Sequence, residues 1–158
     1  PFTRLEYLLS KHLPYIGIGM INFLIMTATV LFLFGVPLKG SAITLAMGTV
    51  VYAAAATGYG LFISSFTSSQ VAAIFAAAVL SMLPTMQFSG MMQPVSTLEG
   101  GARLMGSMWP TTYYMHMSVG AFTKGLSFTD MQTDLLSLIA FPLVFVTFSV
   151  LLLKKQEK

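Results

Sequence analysis

The feature that most constrains this chain is where its charges are missing. No Asp, Glu, Lys or Arg occurs from His12 to Leu38, 27 residues, from Gly40 to Leu98, 59 residues, or from Leu135 to Leu153, 19 residues. A helix rises about 1.5 Å per residue and needs roughly 20 apolar residues to cross the ~30 Å hydrocarbon core of a bilayer. The first stretch therefore holds one span, and the last just reaches across. The middle stretch would be a rod of about 88 Å at that rise, so it must fold back once. Thr67-Ser68-Ser69-Gln70 is the polar cluster near its centre. Only 8% of the residues are charged, against roughly 25% in a soluble domain, so a water-soluble fold is excluded. The pattern predicts an all-α membrane protein with four transmembrane helices.

The spans are expected over 14–36, 41–66, 71–90 and 135–153. Pro14 suits a first helical turn, and Gly35 with Pro37 ends the first span. Pro84 and Pro142 are expected to kink the third and fourth. Residues 1–13 read as a separate amphipathic helix, with Thr3 and Glu6 spaced as a capping box and Arg4, Glu6 and Lys11 alternating with leucines. Residues 91–134 are too long for a turn and read as an extracytoplasmic helical hairpin dipping into the outer leaflet. In it Ser96 and Glu99 are spaced as a second capping box, Trp109-Pro110 breaks the first helix, and Gly125 caps the second. Trp109, Tyr113 and Tyr114 are expected as interfacial anchors, rings in lipid and polar tips at water. The basic tail 154–158, with Arg4 and Lys11, outweighs Lys39, Arg103 and Lys124, which puts both ends in the cytoplasm of a bacterial inner membrane. The first residue is Pro1 rather than Met, so an incomplete start is expected.

Most site chemistry is excluded. Cysteine is absent, no glycine-rich loop with Lys-Ser/Thr occurs, and thirteen charges cannot build a nucleic-acid-binding face. His12 and His116 lie far apart with no carboxylate pattern beside them. No ionisable residue is expected within a span, which argues against a proton-driven mechanism. Met91-Met92 and Met115-His116-Met117 offer soft ligands for copper(I), but flexible apolar packing explains the same residues. The hydroxyls and amides in the spans are read as interhelical hydrogen bonds, with Asn22 and Gln87 the best candidates for a substrate path. Ala54/Gly58, Ala56/Gly60 and Ala73/Ala77 read as close-packing seams.

Several motifs resemble one family. Residues Pro1 to Lys11, then Phe34-Gly35-Val36-Pro37-Leu38-Lys39-Gly40-Ser41, Gln87-Phe88-Ser89-Gly90, Pro94-Val95-Ser96 and Pro110-Thr111-Thr112-Tyr113 look like the membrane domain of type-2 ABC exporters. Ser96-Thr97-Leu98-Glu99-Gly100 and the closing Leu-Leu-Leu-Lys-Lys-Gln-Glu-Lys are most similar to the ribosome-associated ATPase branch, in which ATPase cassettes and permease share one polypeptide. The resemblance implies the last four of six spans of a permease. It also implies a coupling helix presenting Thr3, Arg4, Glu6, Tyr7 and Lys11 to an ATPase, and a hairpin that closes the outward end of the path; the residues themselves suggest that path near Asn22, Gln87, Phe88 and Ser89. No cofactor would be bound by this chain. ATP and Mg would be held by partner nucleotide-binding domains, fused or separate. A second permease half, the lipid bilayer and, from the branch name, the ribosome are the other partners implied. The alternative is a membrane anchor for such an ATPase without transport activity.

Overall fold

The computed structural model describes the backbone of residues 4–156 and the side chains of residues 6–152. Thr3 and the tail from Glu157 lie outside the described residues, as do the side chains of Arg4 and Leu5. Among the described residues every regular element is helical. In chain order these are α1 (Arg4–Ala28), α2 (Ala42–Ser64), α3 (Gln70–Phe88), α4 (Gly100–Ser107), α5 (Pro110–Val119) and α6 (Phe128–Gln156). A π-helical turn, Thr29–Leu33, extends α1 and another, Gly120–Lys124, extends α5; a short 3₁₀ turn, Val95–Thr97, precedes α4. Four stretches are long and apolar enough to cross a membrane: Glu6–Leu33, Ala42–Ser64, Gln70–Phe88 and Phe128–Leu152.

The bundle is organised around α2, on which α1, α3, α5 and α6 all pack. Ser41 caps its N-terminus, its hydroxyl accepting from the Thr44 N–H at 3.3 Å. The core lies between α2, α5 and α6 and comprises Leu45, Met117, Ala121, Met131, Leu135 and Leu138. Met131, Leu135 and Leu138 recur at helical spacing and so face α2 as one stripe. The outward faces invert the pattern of a soluble protein. Ile18, Ile21, Leu24 and Met26 on α1, Ile74, Phe75 and Leu83 on α3, and Leu136, Leu143 and Phe148 on α6 are all exposed. Lipid is the solvent that makes such a surface stable.

Two local expectations fail. The chain does not restart at Pro14, because α1 runs unbroken from Arg4 through it. A proline inside a helix removes one backbone donor, a loss that membrane helices tolerate when neighbours pack around it. His12 and Gly19 pack against α2, His12 beside Ala54 and Thr57 and a Cβ at Gly19 falling 2.9 Å from that of Ala53, and Leu8 is buried one turn before His12. The described part of the segment read as a separate helix, from Arg4 on, is thus continuous with the first apolar stretch. Nor does Ser96 cap α4: it lies in the 3₁₀ turn, and Glu99 precedes the helix without a side-chain cap. The last helix starts at Phe128, ahead of the apolar span 135–153 that it carries, where the Asp130 carboxylate accepts from the Ser127 N–H at 2.9 Å and its hydroxyl at 2.7 Å.

One clamp fixes the hairpin to the bundle. The connection between α1 and α2 donates Lys39 N–H (3.1 Å) and Gly40 N–H (2.7 Å) to the Ala121 carbonyl, and Ser41 N–H (3.2 Å) to that of Leu126. The approach is close enough that a Cβ on Gly40 would stand 2.6 Å from the Leu126 carbonyl oxygen. Gly125 supplies the left-handed turn, φ +68°, that brings Leu126 there.

A candidate membrane groove and its aromatic end

At the hairpin end, a cleft of about 420 Å³ opens between α2, α3, α5 and α6. Tyr52, Tyr59, Trp109 and Phe145 line it with rings, and Ser81, Thr85 and Thr111 with hydroxyls. Tyr59 meets Trp109 edge-on at 5.5 Å and Phe145 at 5.4 Å, while Tyr52 stacks on Tyr114 at 4.6 Å and 8°. Trp109 Nε1–H donates to Thr85 Oγ1 at 2.8 Å, and Tyr52 Oη and Thr111 Oγ1 are 3.0 Å apart. Tyr114 Oη is 2.9 Å from Thr49 Oγ1, and Tyr113 donates to the Ser107 carbonyl at 2.6 Å. The expected anchors therefore direct their polar tips at protein rather than at water. Burial holds the Tyr114 phenol above its ordinary pKa, against the lowering effect of the Thr49 hydroxyl.

Two further cavities continue this cleft along α2 and α3. The first, about 440 Å³, shares Gly60 and Ala77 with it and reaches Ser64, Ser69 and Gln70. The second, about 490 Å³, shares Gly60, Ser64 and Gln70 and reaches Lys11, His12, Tyr15 and Thr57 on α1 and α2. Gly60 belongs to all three, and a Cβ there would meet nothing within 4 Å. It is thus no packing seam, whereas Gly58 is one, its Cβ position lying 3.2 Å from Phe145 and 3.5 Å from His12.

His12 corrects the expectation that no ionisable residue lies within a span. It is 5% exposed and lies inside the Glu6–Leu33 stretch. Its Nε2 is 3.0 Å from both the Ala54 carbonyl oxygen and Thr57 Oγ1, and its Nδ1 is buried without a partner. The sequence hid this because α1 was divided at Pro14. The second histidine also has a carboxylate after all. His116 Nδ1 is 2.5 Å from Asp134 Oδ2, across a hairpin-side cavity of about 530 Å³ that Ser89, Met115 and Lys124 also line. Met117 lies in the core against Gly48, so Met115-His116-Met117 does not present three donors together.

The other residues singled out in the sequence are scattered. Glu6, Tyr7 and Lys11 are exposed near the start of α1, with the Lys11 ammonium 4.6 Å from the centre of the Tyr7 ring. Asn22 on α1 and Gln87 on α3 are exposed and line none of the cavities described here. Ser89 is buried, its hydroxyl donating to the Thr85 carbonyl, and the half-buried Phe88 accepts through its carbonyl from Thr112 at 3.4 Å.

A four-span bundle that carries a helical hairpin between its third and fourth spans agrees with the comparison to known proteins. The description "ABC-2 family transporter protein" matches residues 1–151. The chain belongs to the ABC-2 transporter family. It is 28% identical over 154 residues to the probable multidrug ABC transporter permease YbhS of Escherichia coli K12, covering 98% of this chain and 41% of that protein. To the probable multidrug ABC transporter permease YbhR of the same strain it is 24% identical over 147 residues, 93% of this chain and 38% of that protein. The chain thus spans about two fifths of the curated relatives it matches. No solved structure matches it significantly. An integral membrane protein is the class that family and helices share.

Proposed function

We propose that this chain is the membrane-spanning part of an ATP-driven exporter permease of the bacterial inner membrane. The observation that carries the reading is the family match over residues 1–151. Joined to it is a bundle with four apolar spans and no nucleotide-binding loop. Energy would come from ATPase cassettes that bind ATP and Mg. Whether these are fused, as in the ribosome-associated branch that the closing sequence resembles, or separate, the start of α1 is the segment offered to them. Thr3, Arg4, Glu6, Tyr7 and Lys11 are its coupling residues, on the side where both ends of the chain are cytoplasmic. Because α1 is continuous, a push there reaches the middle of the membrane along one helix, whose backbone bonds are internal except for the donor missing at Pro14.

A second permease half is part of the proposal. Asn22 and Gln87 are exposed in apolar spans, where an amide facing hydrocarbon is costly. A partner covering those faces would turn both amides, with Phe88 and Ser89 nearby on α3, towards a shared path. The names of the relatives point to drug-like cargo. The test exchanges the charges Arg4→Glu and Glu6→Arg in the assembled transporter. ATP hydrolysis should continue while transport is lost and membrane insertion is unchanged; undiminished transport overturns the coupling role. Asn22→Leu with Gln87→Leu separates transport from anchoring, because an anchor tolerates both and a path does not.

A further inference from the structure

The three cavities that meet at Gly60 form one groove with a chemical gradient along it. From Ser64 to Tyr52 it follows α2 for about 18 Å, at 1.5 Å per residue. That length is close to one leaflet of a hydrocarbon core roughly 30 Å thick. Its middle is small and apolar, at Ala56, Gly60, Ala73 and Ala77. One end holds the aromatic rings around Trp109. The other holds Lys11, with Thr57, Ser64 and Gln70 as hydrogen-bonding groups. Among all the residues lining the three cavities no Asp or Glu occurs, and Lys11 is the one permanent cation.

We infer that this groove seats one anionic phospholipid of the bilayer, its phosphate at Lys11 and an acyl chain running past Gly60 to Trp109. Lys11 lies about one and a half turns inside Glu6, the start of the spanning stretch. That depth suits a lysine whose stem lies along apolar surface while its ammonium reaches a headgroup. The mouth opens toward lipid, since Ile74 and Met82 line the groove and are also exposed on the face of α3. An acyl chain entering sideways would find no side chain at Gly60 in its way and would end against rings that offer large apolar contact. A zwitterionic headgroup carries the same phosphate but offsets it with its own ammonium, so Lys11 gains less from it than from a net anionic one.

Trp109 is the single tryptophan of the sequence and reports on the far end of the groove. The full-length permease is placed in phosphatidylcholine nanodiscs, without ATPase or nucleotide, so that the reading does not depend on Lys11 acting in coupling. Phosphatidylglycerol brominated at the end of its acyl chain is titrated in, and the quenching lost in Trp109→Phe is taken as the signal. Quenching should saturate at a low fraction of the anionic lipid, while brominated phosphatidylcholine should quench only in proportion to its amount. Lys11→Gln should move the midpoint about fivefold higher, the weight of one partly exposed ion pair. Gly60→Leu should abolish saturation and Gly60→Ala should keep it; Ala77→Leu, on the facing wall, serves where Gly60→Leu does not fold. Identical curves for the two lipids would overturn the inference, as would a midpoint indifferent to both Lys11→Gln and the leucine substitutions. A groove covered instead by a second copy of the chain would exclude both lipids and give that same indifference.

Discussion

Replacing Gly40 by Ala should unfasten the end of the hairpin from the connection between α1 and α2. The added methyl would stand 2.6 Å from the Leu126 carbonyl oxygen, 2.9 Å from the Ala121 Cα and 3.1 Å from the Ala121 carbonyl oxygen. All three are backbone atoms, so no rotamer change relieves the contact, and the connection must withdraw. Withdrawal breaks the bonds donated by Lys39, Gly40 and Ser41, each worth about 1 kcal/mol net. Where the connection stays instead, overpacking costs about 1–3 kcal/mol. A loss of about 3 kcal/mol lowers the melting temperature of a chain this size by roughly 6–12 °C. Thermal unfolding followed by circular dichroism in detergent measures it, and proteolysis of the 35–41 connection should rise in parallel. The control is Gly60→Ala, where open space makes the change neutral or stabilising by up to about 1 kcal/mol. If Gly40→Ala melts with Gly60→Ala, the clamp does not hold the hairpin and the reasoning is wrong.

Thr85→Val should cost about 1–3 kcal/mol, because it strands the Trp109 indole N–H in a partly buried site; a change in Trp109 emission together with lowered stability would show it. His12→Leu removes the Nε2 bonds to α2 but also the unpartnered Nδ1, so its net effect on stability should stay within about 1.5 kcal/mol. His12→Asp should destabilise by more than about 3 kcal/mol by burying a carboxylate, read in the same melting assay. Asp134→Asn should change stability by less than about 1 kcal/mol, since its partner His116 is largely solvent-exposed; a larger loss would mean that the pair holds the hairpin down.

Long-range architecture was legible because the bilayer imposes it: spacing between charges located four spans, and Thr67–Gln70 marks the turn before α3. Gly125 ended the second hairpin helix as its conformational freedom implies. What stayed hidden depended on packing. Pro14 looked like a start signal because local rules weigh one missing donor, while burial of Leu8 and His12 one turn apart, with His12 bonded to α2, decides the helix. Trp109 and Tyr114 carried the composition of interface residues, yet Thr85 and Thr49, distant in sequence, take their polar atoms. The His116–Asp134 pair spans eighteen positions between two helices, a separation that no motif encodes. The groove left no signal of its own: Gly60 closes a run of small residues, Ala53 to Gly58, that reads as a packing seam, and only the fold reveals that it faces open space.

The π turn at Gly120–Lys124 has a consequence for how the protein tolerates changes of length. It is wound more loosely than the α-helix before it, and the Ala121 carbonyl on it receives both Lys39 and Gly40. Such a turn is slack held in reserve. Removing one residue between Gly120 and Lys124 would let it tighten into ordinary winding, but would also swing that carbonyl away from its two donors. Shortening is thus absorbed by the helix and felt by the fastening, which makes this turn the place where a drift in hairpin length would first be noticed by the spans.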